Sequence, residues 1–273
     1  METIIARPIM TKTLVKSPAR IKPRIRLPEI RARAFDREKD DGAQIENLLS
    51  RGQQARFRAI ATVLDYQRGG STVFSEGEDA HFIYSVISGV VRISRYSDSG
   101  RMQVLALMLP GDLFGFPQGG RYVNSAITAS RVSLYRVPWQ RLRELLLHEP
   151  EMHLNMLVRV AFDLREAQRR IMILGQQNIA QRLASFLIDF TQHPDFYEER
   201  TRRLSLPLTR FDLGDYLGSA PETVARAFAK LEKQGVIRRI SPRLIEIPSI
   251  EGLRQVVSGR RRAGNGQRPV RHA

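Results

Sequence analysis

The chain has 273 residues, of which 42% are hydrophobic, and carries 44 Lys and Arg against 28 Asp and Glu. This length suits two domains of ordinary size, and the absence of cysteine excludes disulfides, thiol catalysis and cysteine-held iron–sulfur clusters. No apolar run approaches the roughly 20 residues that cross a bilayer, and no apolar segment of a signal peptide follows the basic N-terminus. We therefore expect a cytoplasmic protein that has a polyanionic partner and no contact with membranes.

Most of the net charge of +16 lies at the two ends of the chain. Residues 1–35 carry +7 and residues 258–273 carry +5, whereas residues 36–200 are neutral. Because neither end has a sustained apolar period, we predict a disordered basic arm over residues 1–40 and a disordered basic tail over residues 258–273. Such segments either add solubility or attract phosphate without sequence preference, and the sequence leaves both alternatives open.

The first domain is predicted over residues 41–147 as a small antiparallel β-roll. A short helix is expected within residues 42–56, and a second is expected to start at Pro138. Between about residues 61 and 137, short β-rich runs alternate with glycine-containing turns, a pattern typical of antiparallel strands. The predicted strands cover residues 71–74, 82–87, 90–96, 103–109 and 126–137.

A long helix over residues 149–174, within a dimerisation region over residues 148–176, is predicted next. Its apolar residues recur at intervals of three and four, and charged residues fill most other positions. Its roughly 26 residues would span about 39 Å, more than a small domain needs. The alternative is a helix packed on its own domain, but the charged flanks favour a homodimer seam, with Gly175 ending the helix. The predicted seam residues are Leu157, Val160, Leu164, Ala167, Ile171 and Leu174.

Residues 177–257 carry the clearest motif, which follows an amphipathic helix that begins near Ile179. Residues 209–212 match a T-x-x-D capping box, and Gly218 fits the left-handed end of the helix that follows. A second capping signature at residues 219–222 starts another helix, which runs to about Lys233. The two helices have interlocking apolar faces, which predicts a helix-turn-helix, and the β-rich residues after Gly235 predict a hairpin wing.

The exposed face of the second helix predicts DNA contact. Glu222 and Arg226 lie one helical turn apart near its N-terminal half, the part that enters a major groove. Arginine donates two hydrogen bonds to guanine and glutamate accepts one from cytosine, although such a pair can also serve only to stabilise its helix. The local charge of +4 over residues 201–247 adds to the case. Phosphate contacts are predicted from Arg210, Ser219, Thr223, Lys230 and Arg243.

This order of elements resembles the cAMP receptor protein/FNR superfamily of bacterial transcription regulators, over about residues 60–250. The turn glycines Gly77, Gly89 and Gly115 and the run 222–226 are similar to the family's. Residues 172–175, followed by residues 182–186, most resemble its FixK-like branch. The resemblance implies an α+β fold: a cupin-like antiparallel β-roll (double-stranded β-helix), a long dimerisation helix and a C-terminal winged helix-turn-helix. It also implies a homodimeric activator that reads a TTGA-N6-TCAA-like palindrome through Glu222 and Arg226 and contacts RNA polymerase.

The sequence departs from the cyclic-nucleotide-binding members of that superfamily. Gly115 is followed by Phe-Pro-Gln where those members have Glu-Leu, and residues 124–126 read Asn-Ser-Ala where they have Arg-Ser/Thr-Ala. The phosphate-facing Arg and the ribose-facing Glu are therefore missing, and an anion would lose its charge-assisted partners. Arg121 is the one candidate substitute. Together with the absence of FNR's cysteines, this implies a regulator without a cofactor.

Two alternatives to this function remain. The roll could sense a small molecule or haem, with His81 as an axial ligand. An architectural protein would bind every duplex with similar affinity. The five histidines have no metal-ligand spacing and no catalytic motif occurs, so neither a metal site nor an enzyme is expected.

A further departure from the family lies in the second helix of the helix-turn-helix, which carries Glu222 and Arg226. Pro221 stands where the cAMP-type regulator has an additional base-reading Arg, and Ala225 replaces a Ser that is common in the family. Proline cannot donate to a base, so the outer base of the half-site is expected to be read less strictly, or by apolar contact only.

Overall fold

The computed structural model of the chain describes residues 28–29, 31–33, 45–97, 100 and 102–259. Most of the predicted basic arm and almost all of the predicted basic tail lie outside these residues. Strand β1 (Arg31–Arg33), which the sequence analysis placed in the disordered arm, pairs antiparallel with strand β2 (Ile45–Asn47). The backbone of Arg31 has partners on both sides, because its amide donates to the carbonyl of Gly111 at 3.1 Å and its carbonyl accepts from Arg159.

Eight strands form the predicted antiparallel roll. They are β3 (Thr62–Tyr66), β4 (Thr72–Phe74), β5 (Phe82–Ser88), β6 (Val91–Tyr96), β7 (Met102–Met108), β8 (Leu113–Phe114), β9 (Ser125–Thr128) and β10 (Val132–Pro138). One sheet has the order β3-β10-β5-β8 and the other β4-β9-β6-β7, and each pairing is antiparallel. Side chains of both sheets meet in one buried cluster, which is the core of the roll.

The strands differ from the prediction in three places. Strand β3 was not predicted, and it pairs with β10 over five residues. The two-residue strand β8, which pairs with β5, was not predicted either. The single strand predicted over residues 126–137 is two strands, because β9 belongs to one sheet and β10 to the other. Residues 129–131 carry the chain across between the sheets.

Three helices lie beside the roll: α1 (Arg51–Ile60), α2 (Trp139–His148) and α3 (Pro150–Gln176). Helix α1 starts later than predicted because Ser50 and Gln53 form a capping box at its first turn. Gly175 does not end α3 as predicted. The helix continues to Gln176, since a glycine costs a helix only about 1 kcal/mol and need not break it.

The C-terminal part contains four more helices and a small sheet. Its elements are α4 (Ile179–Thr191), β11 (Tyr197–Glu198), β12 (Arg203–Ser205), α5 (Arg210–Leu217), α6 (Pro221–Lys233), β13 (Arg238–Ser241), β14 (Leu244–Glu246) and α7 (Ile250–Val257). The strands pair in the order β11-β12-β14-β13. Strands β11 and β12 and helix α7 were not predicted. Helix α7 packs on α4 and is capped by Ser249, whose hydroxyl accepts from the amide of Gly252 at 3.2 Å.

None of the helices in the described part of the chain has the length and apolar character needed to span a membrane.

Candidate nucleic-acid interface

Helices α5 and α6 form the predicted helix-turn-helix. The Thr209 hydroxyl accepts from the amide of Asp212 at 3.1 Å, and the Asp212 carboxylate accepts from the amide of Thr209 at 2.9 Å, so the predicted capping box is present. Gly218 ends α5 with a φ of 63°, in the left-handed region that favours glycine. A Cβ on Gly214 would lie only 2.7 Å from the carbonyl oxygen of Ser219. Glycine therefore permits the turn to pack closely on α5.

The two faces of α6 have different roles. Val224, Ala227, Phe228 and Leu231 are at most 3% exposed and pack in the core that α4 and α5 share. At about 100° per residue, Glu222 and Arg226 lie on the side opposite this buried face, and both are exposed. The helix thus presents a carboxylate and a guanidinium outward, one turn apart.

Glu222 and Arg226 do not neutralise each other. Arg226 donates to the hydroxyl of Thr223 at 3.1 Å, and within the described residues no ion pair connects Arg226 to Glu222. The structure therefore does not support the alternative that the two residues only form an ion pair within the helix. Both charged groups are available to a partner.

The predicted phosphate-contacting residues lie around this face, but they differ in exposure. Lys230 on α6 and Arg243 in the turn of the β13–β14 hairpin are exposed, whereas Ser219 and Thr223 are half-buried. Arg210 is also half-buried: its guanidinium lies 3.9 Å from the ring centroid of Phe228 and donates to the carbonyl of Pro242 at 3.4 Å. Arg210 therefore joins α5, α6 and the wing as well as contributing charge.

Two arginines concentrate positive charge where the wing meets the helices. Burial, and secondarily repulsion from Arg239, lower the pKa of Arg210. Arg239 is held by Glu232 of α6 at 2.6 Å, and hydrogen bonds from Arg239 lower the pKa of Glu232. An anion placed beside Arg210 and Arg239 would relieve their repulsion. Sequence analysis missed Arg238 and Arg239, although their place in the predicted wing was a signal for them.

The sequence also did not predict the polar contacts that connect the roll to the helix-turn-helix, which we call the joint. The Arg92 guanidinium on β6 makes an ion pair with the Asp212 carboxylate on α5, and their side chains are only 17% and 6% exposed. Arg170 on α3 donates to the carbonyls of Val104 on β7 (2.9 Å) and Tyr216 on α5 (2.7 Å). These contacts fix the orientation of α5 relative to the roll and to α3.

The predicted seam residues form a stripe along α3 that the chain itself leaves largely uncovered. Leu157, Val160, Leu164 and Ile171 are 57%, 53%, 60% and 71% exposed. Ala167 is exposed as well, and Leu174 is half-buried. The stripe is therefore not packed on the helix's own domain.

Stacked aromatic side chains lie in the core of the roll. The rings of Phe74 and Tyr122 stack with centroids 3.8 Å apart, and Tyr84 and Phe114 stack at 5.4 Å. All four residues are 5% exposed, and burial raises the pKa of Tyr84. These rings pack against one another in the buried core of the roll.

The two residues considered as ligand contacts lie at the surface. The side chain of Arg121 is 68% exposed and binds the carbonyl of Gly77 at 3.2 Å, and His81 is exposed. Among the described residues, no group of three or more His, Cys, Asp or Glu is arranged to hold a metal ion.

Comparison with known proteins gives two domain matches. Residues 65–149 match the cyclic nucleotide-binding domain family, and residues 181–256 match the Crp-like helix-turn-helix domain family.

Individual proteins that match this chain are also transcription regulators. Nitrogen fixation regulation protein FixK of Azorhizobium caulinodans is 33% identical over 201 residues, which are 73% of this chain and 81% of that protein. Transcriptional activatory protein AadR of Rhodopseudomonas palustris is 35% identical over 168 residues, which are 60% of this chain and 69% of that one. The solved structure of FixK2 from Bradyrhizobium japonicum superposes with a TM-score of 0.66 at 29% identity, covering 72% of this chain and 96% of that chain.

A roll joined through a long helix to a winged helix-turn-helix, with these relatives, defines a DNA-binding transcription regulator. The chain belongs to the cAMP receptor protein/FNR superfamily, in its FixK-like branch. The predicted resemblance and fold class are thereby confirmed. The relatives are regulators, which confirms that the chain is not an enzyme.

Proposed function

We propose that the chain is a homodimeric, sequence-specific transcription activator of the cytoplasm that reads a TTGA-N6-TCAA-like palindrome and contacts RNA polymerase. The observation that carries this proposal is the outward carboxylate and guanidinium of Glu222 and Arg226 on α6, which are exposed and not paired with each other. Arginine suits the guanine and glutamate the cytosine of a TGA/TCA core. The relatives' names describe transcriptional activation and regulation of nitrogen fixation, and we extend activation to this chain.

The uncovered stripe on α3 supports a homodimer. A second copy of the same stripe is the surface that fits it, because a two-fold interface pairs one patch with itself and apolar residues at intervals of three and four suit a left-handed helix pair. Such a pair would place the two α6 helices in successive major grooves, about 34–36 Å apart. A spacer of six base pairs between four-base half-sites gives this separation of one helical turn.

The packed interior of the roll supports regulation without a cyclic nucleotide. A nucleotide would have to displace buried aromatic rings such as Phe74 and Tyr122, and the charged partners for its phosphate and ribose are absent from the sequence. The activity of such a regulator would follow its abundance.

The affinity of the purified protein for its palindrome is therefore expected to be the same, within about twofold, with and without millimolar cyclic AMP or cyclic GMP. Fluorescence anisotropy with a labelled duplex measures this directly. A tenfold or larger change with either nucleotide would contradict a roll that is closed to ligands.

A second candidate function, a ligand-gated regulator, is favoured by one observation. A cavity of about 320 Å³ lies where the roll meets the other elements, lined by Leu107 of β7, Phe162 of α3, Phe186 of α4 and Tyr216 of α5. A small apolar molecule bound there would alter the joint between the roll and α5. An increase in DNA affinity on adding a small-molecule extract of the native cells would favour this candidate over the first.

Replacing Arg226 with alanine is expected to weaken binding to the palindrome by about 1–3 kcal/mol, or about 5- to 150-fold. The same change should remove the preference for guanine at the position that Arg226 reads, because alanine cannot donate to its O6 and N7. Binding of Arg226→Ala to duplexes with each of the four bases at that position is the measurement.

Lys230→Ala serves as the matched control on the same helix. Because a lysine on phosphate carries no sequence information, this variant should weaken binding to cognate and scrambled duplexes alike and reduce the dependence of log affinity on log salt by about 1. Equal losses on cognate and scrambled duplexes for Arg226→Ala would remove its base-reading role.

A further inference from the structure

The C-terminal end of α5 is bound by two arginines from outside that helix. The last carbonyls of an α-helix have no partner within it, and in α5 they include those of Tyr216 and Leu217. Arg170 of α3 donates to the carbonyl of Tyr216 at 2.7 Å. Arg182 of α4 donates to the carbonyl of Leu217 at 2.9 Å. Both guanidinium groups therefore lie at the negative end of the helix dipole, where cations are favoured.

Arg182 connects this end of α5 to the end of α3. Its guanidinium also donates to the carbonyls of Leu174 at 2.7 Å and Gln177 at 2.9 Å. Leu174 is the last predicted seam residue, and a Cβ on Gly218 would lie 3.5 Å from its side chain. One guanidinium thus bridges the end of the predicted seam and the turn of the helix-turn-helix.

Arg170 makes a second bridge, which starts on α3 itself. Its guanidinium lies 3.7 Å from the ring centroid of Tyr216 and also donates to the carbonyl of Val104 on β7 at 2.9 Å. At about 100° per residue, Arg170 lies about 60° from Ala167 and about 40° from Leu174 around the axis of α3. It therefore borders the predicted seam, and the roll, α3 and α5 meet at this one side chain.

Helix α6 is in turn held on α5. Val224 and Phe228 of α6 share one buried cluster with Leu213 of α5, so the two helices form one packed unit. In the proposed homodimer the two copies of α3 lie along the two-fold axis. The distance between the two α6 helices then depends on the angle between α3 and α5, which the two arginines bridge.

The spacing between half-sites demands an accurate angle. One base pair more or less in the spacer moves a half-site by about 3.4 Å along the DNA and turns it by about 35° around the DNA axis. A guanidinium suits such a bridge, because its planar fork of donors fixes direction as well as distance. A side chain without this fork would leave the angle less defined.

We propose that Arg170 and Arg182 are positioning residues that set the spacing between the two half-sites, by holding α5 at a fixed angle to the seam helix. This proposal rests on the proposed function, because it needs a palindrome and a two-fold axis. It assigns a part of DNA specificity to side chains that lie outside α6.

Arg170→Met and Arg182→Met test the proposal, because methionine is unbranched and cannot donate to a carbonyl. Binding is measured by fluorescence anisotropy to a single half-site and to palindromes with spacers of five, six and seven base pairs, and sedimentation velocity checks that the variants are dimers. Arg56→Met is the matched control. It removes an arginine of α1 that pairs with Glu149 at 2.6 Å, at the opposite end of α3.

The unaltered chain is expected to bind the six-base-pair spacer about thirtyfold or more tightly than the other two, because a misplaced half-site forfeits much of the roughly 10²- to 10⁴-fold gain from linked binding. Each methionine variant should stay dimeric and bind the single half-site within about twofold of normal, but its preference for six base pairs should fall to about threefold or less. Arg56→Met should keep the full preference.

Arg170→Lys and Arg182→Lys serve if the methionine variants do not fold. Lysine keeps the charge but not the planar fork, so each lysine variant should have a preference for six base pairs about threefold or more below that of the unaltered chain.

A preference for six base pairs that persists in the folded variants would overturn the proposal. So would a loss of affinity for the single half-site as large as the loss for the palindrome, because the arginines would then only stabilise the helix-turn-helix. Equal binding of the unaltered chain to all three spacers would overturn it as well. If the unaltered chain does not distinguish any palindrome from a scrambled duplex, the proposed function fails instead.

Discussion

Replacing Leu164 with aspartate is expected to convert the proposed dimer to monomers and to lower the affinity for the proposed palindrome by two or more orders of magnitude. Leu164 lies mid-way along the uncovered stripe of α3, where it is 60% exposed in the single chain. A second helix would bury the new carboxylate without a partner, which is costly. The loss of affinity follows because two half-sites bound by linked modules gain about 10²- to 10⁴-fold over one.

Sedimentation velocity at micromolar concentration, together with binding to the full palindrome and to a single half-site, measures this effect. Leu147→Asp is the matched control, since Leu147 is similarly exposed, at 68%, but belongs to α2 and not to the stripe on α3. The control should remain dimeric with normal affinity. A dimeric Leu164→Asp protein, or an equal effect of both changes, would show that α3 is not the seam.

Asp212→Ala is expected to destabilise the folded chain by about 3–5 kcal/mol. Removing one partner of a buried ion pair leaves the other charge uncompensated, and the Nε of Arg92 is already buried without a hydrogen-bond partner. The same carboxylate accepts the amide of Thr209 at 2.9 Å and its hydroxyl at 2.6 Å. The substitution therefore removes the capping box of α5 and the joint to the roll together.

Urea unfolding of Asp212→Ala beside Thr209→Ala separates these two contributions. Thr209→Ala removes the cap but keeps the ion pair, and should cost only about 1 kcal/mol. Arg92→Met should cost less than Asp212→Ala, because Asp212 keeps its hydrogen bonds from Thr209. If Asp212→Ala were no more destabilising than Thr209→Ala, the ion pair to Arg92 would not stabilise the joint.

Features with local determinants were predicted from the sequence. The capping box of Thr209 and Asp212 and the left-handed Gly218 are signals within a few residues, and both occur in the structure as predicted. The exposed apolar stripe on α3 also follows from spacing along one helix, while its role as a dimer seam stays a prediction. Gly175 was misjudged because a single glycine lowers helix stability without setting a boundary, and the boundary lies two residues later at Gln177.

Contacts between segments distant in the chain were not predictable in this way. Arg92 and Asp212 are 120 residues apart, and neither has a neighbouring residue that indicates its partner. Strand β3 was missed because its pairing with β10 is equally non-local. The arginines of the wing lay within a predicted element, but their pairing with Glu232 and their proximity to Arg210 depend on how the hairpin packs on α6.

In the candidate site, too, features set by one helix were predictable and contacts between distant segments were not. The outward face of Glu222 and Arg226 follows from helical periodicity and could be stated from the sequence. The two contacts of Arg210, with the ring of Phe228 and with the wing, could not be predicted from the sequence. The roles of Glu222, Arg226 and Arg210 on DNA stay predictions.

The most direct measurement of the central claim is selection of bound duplexes from a random pool, with the purified full chain and no added effector. A homodimer that presents Glu222 and Arg226 twice should enrich an inverted repeat of TTGA and TCAA separated by six base pairs. Enrichment of a single unrepeated site, of repeats with another spacing, or of no sequence at all would contradict the account.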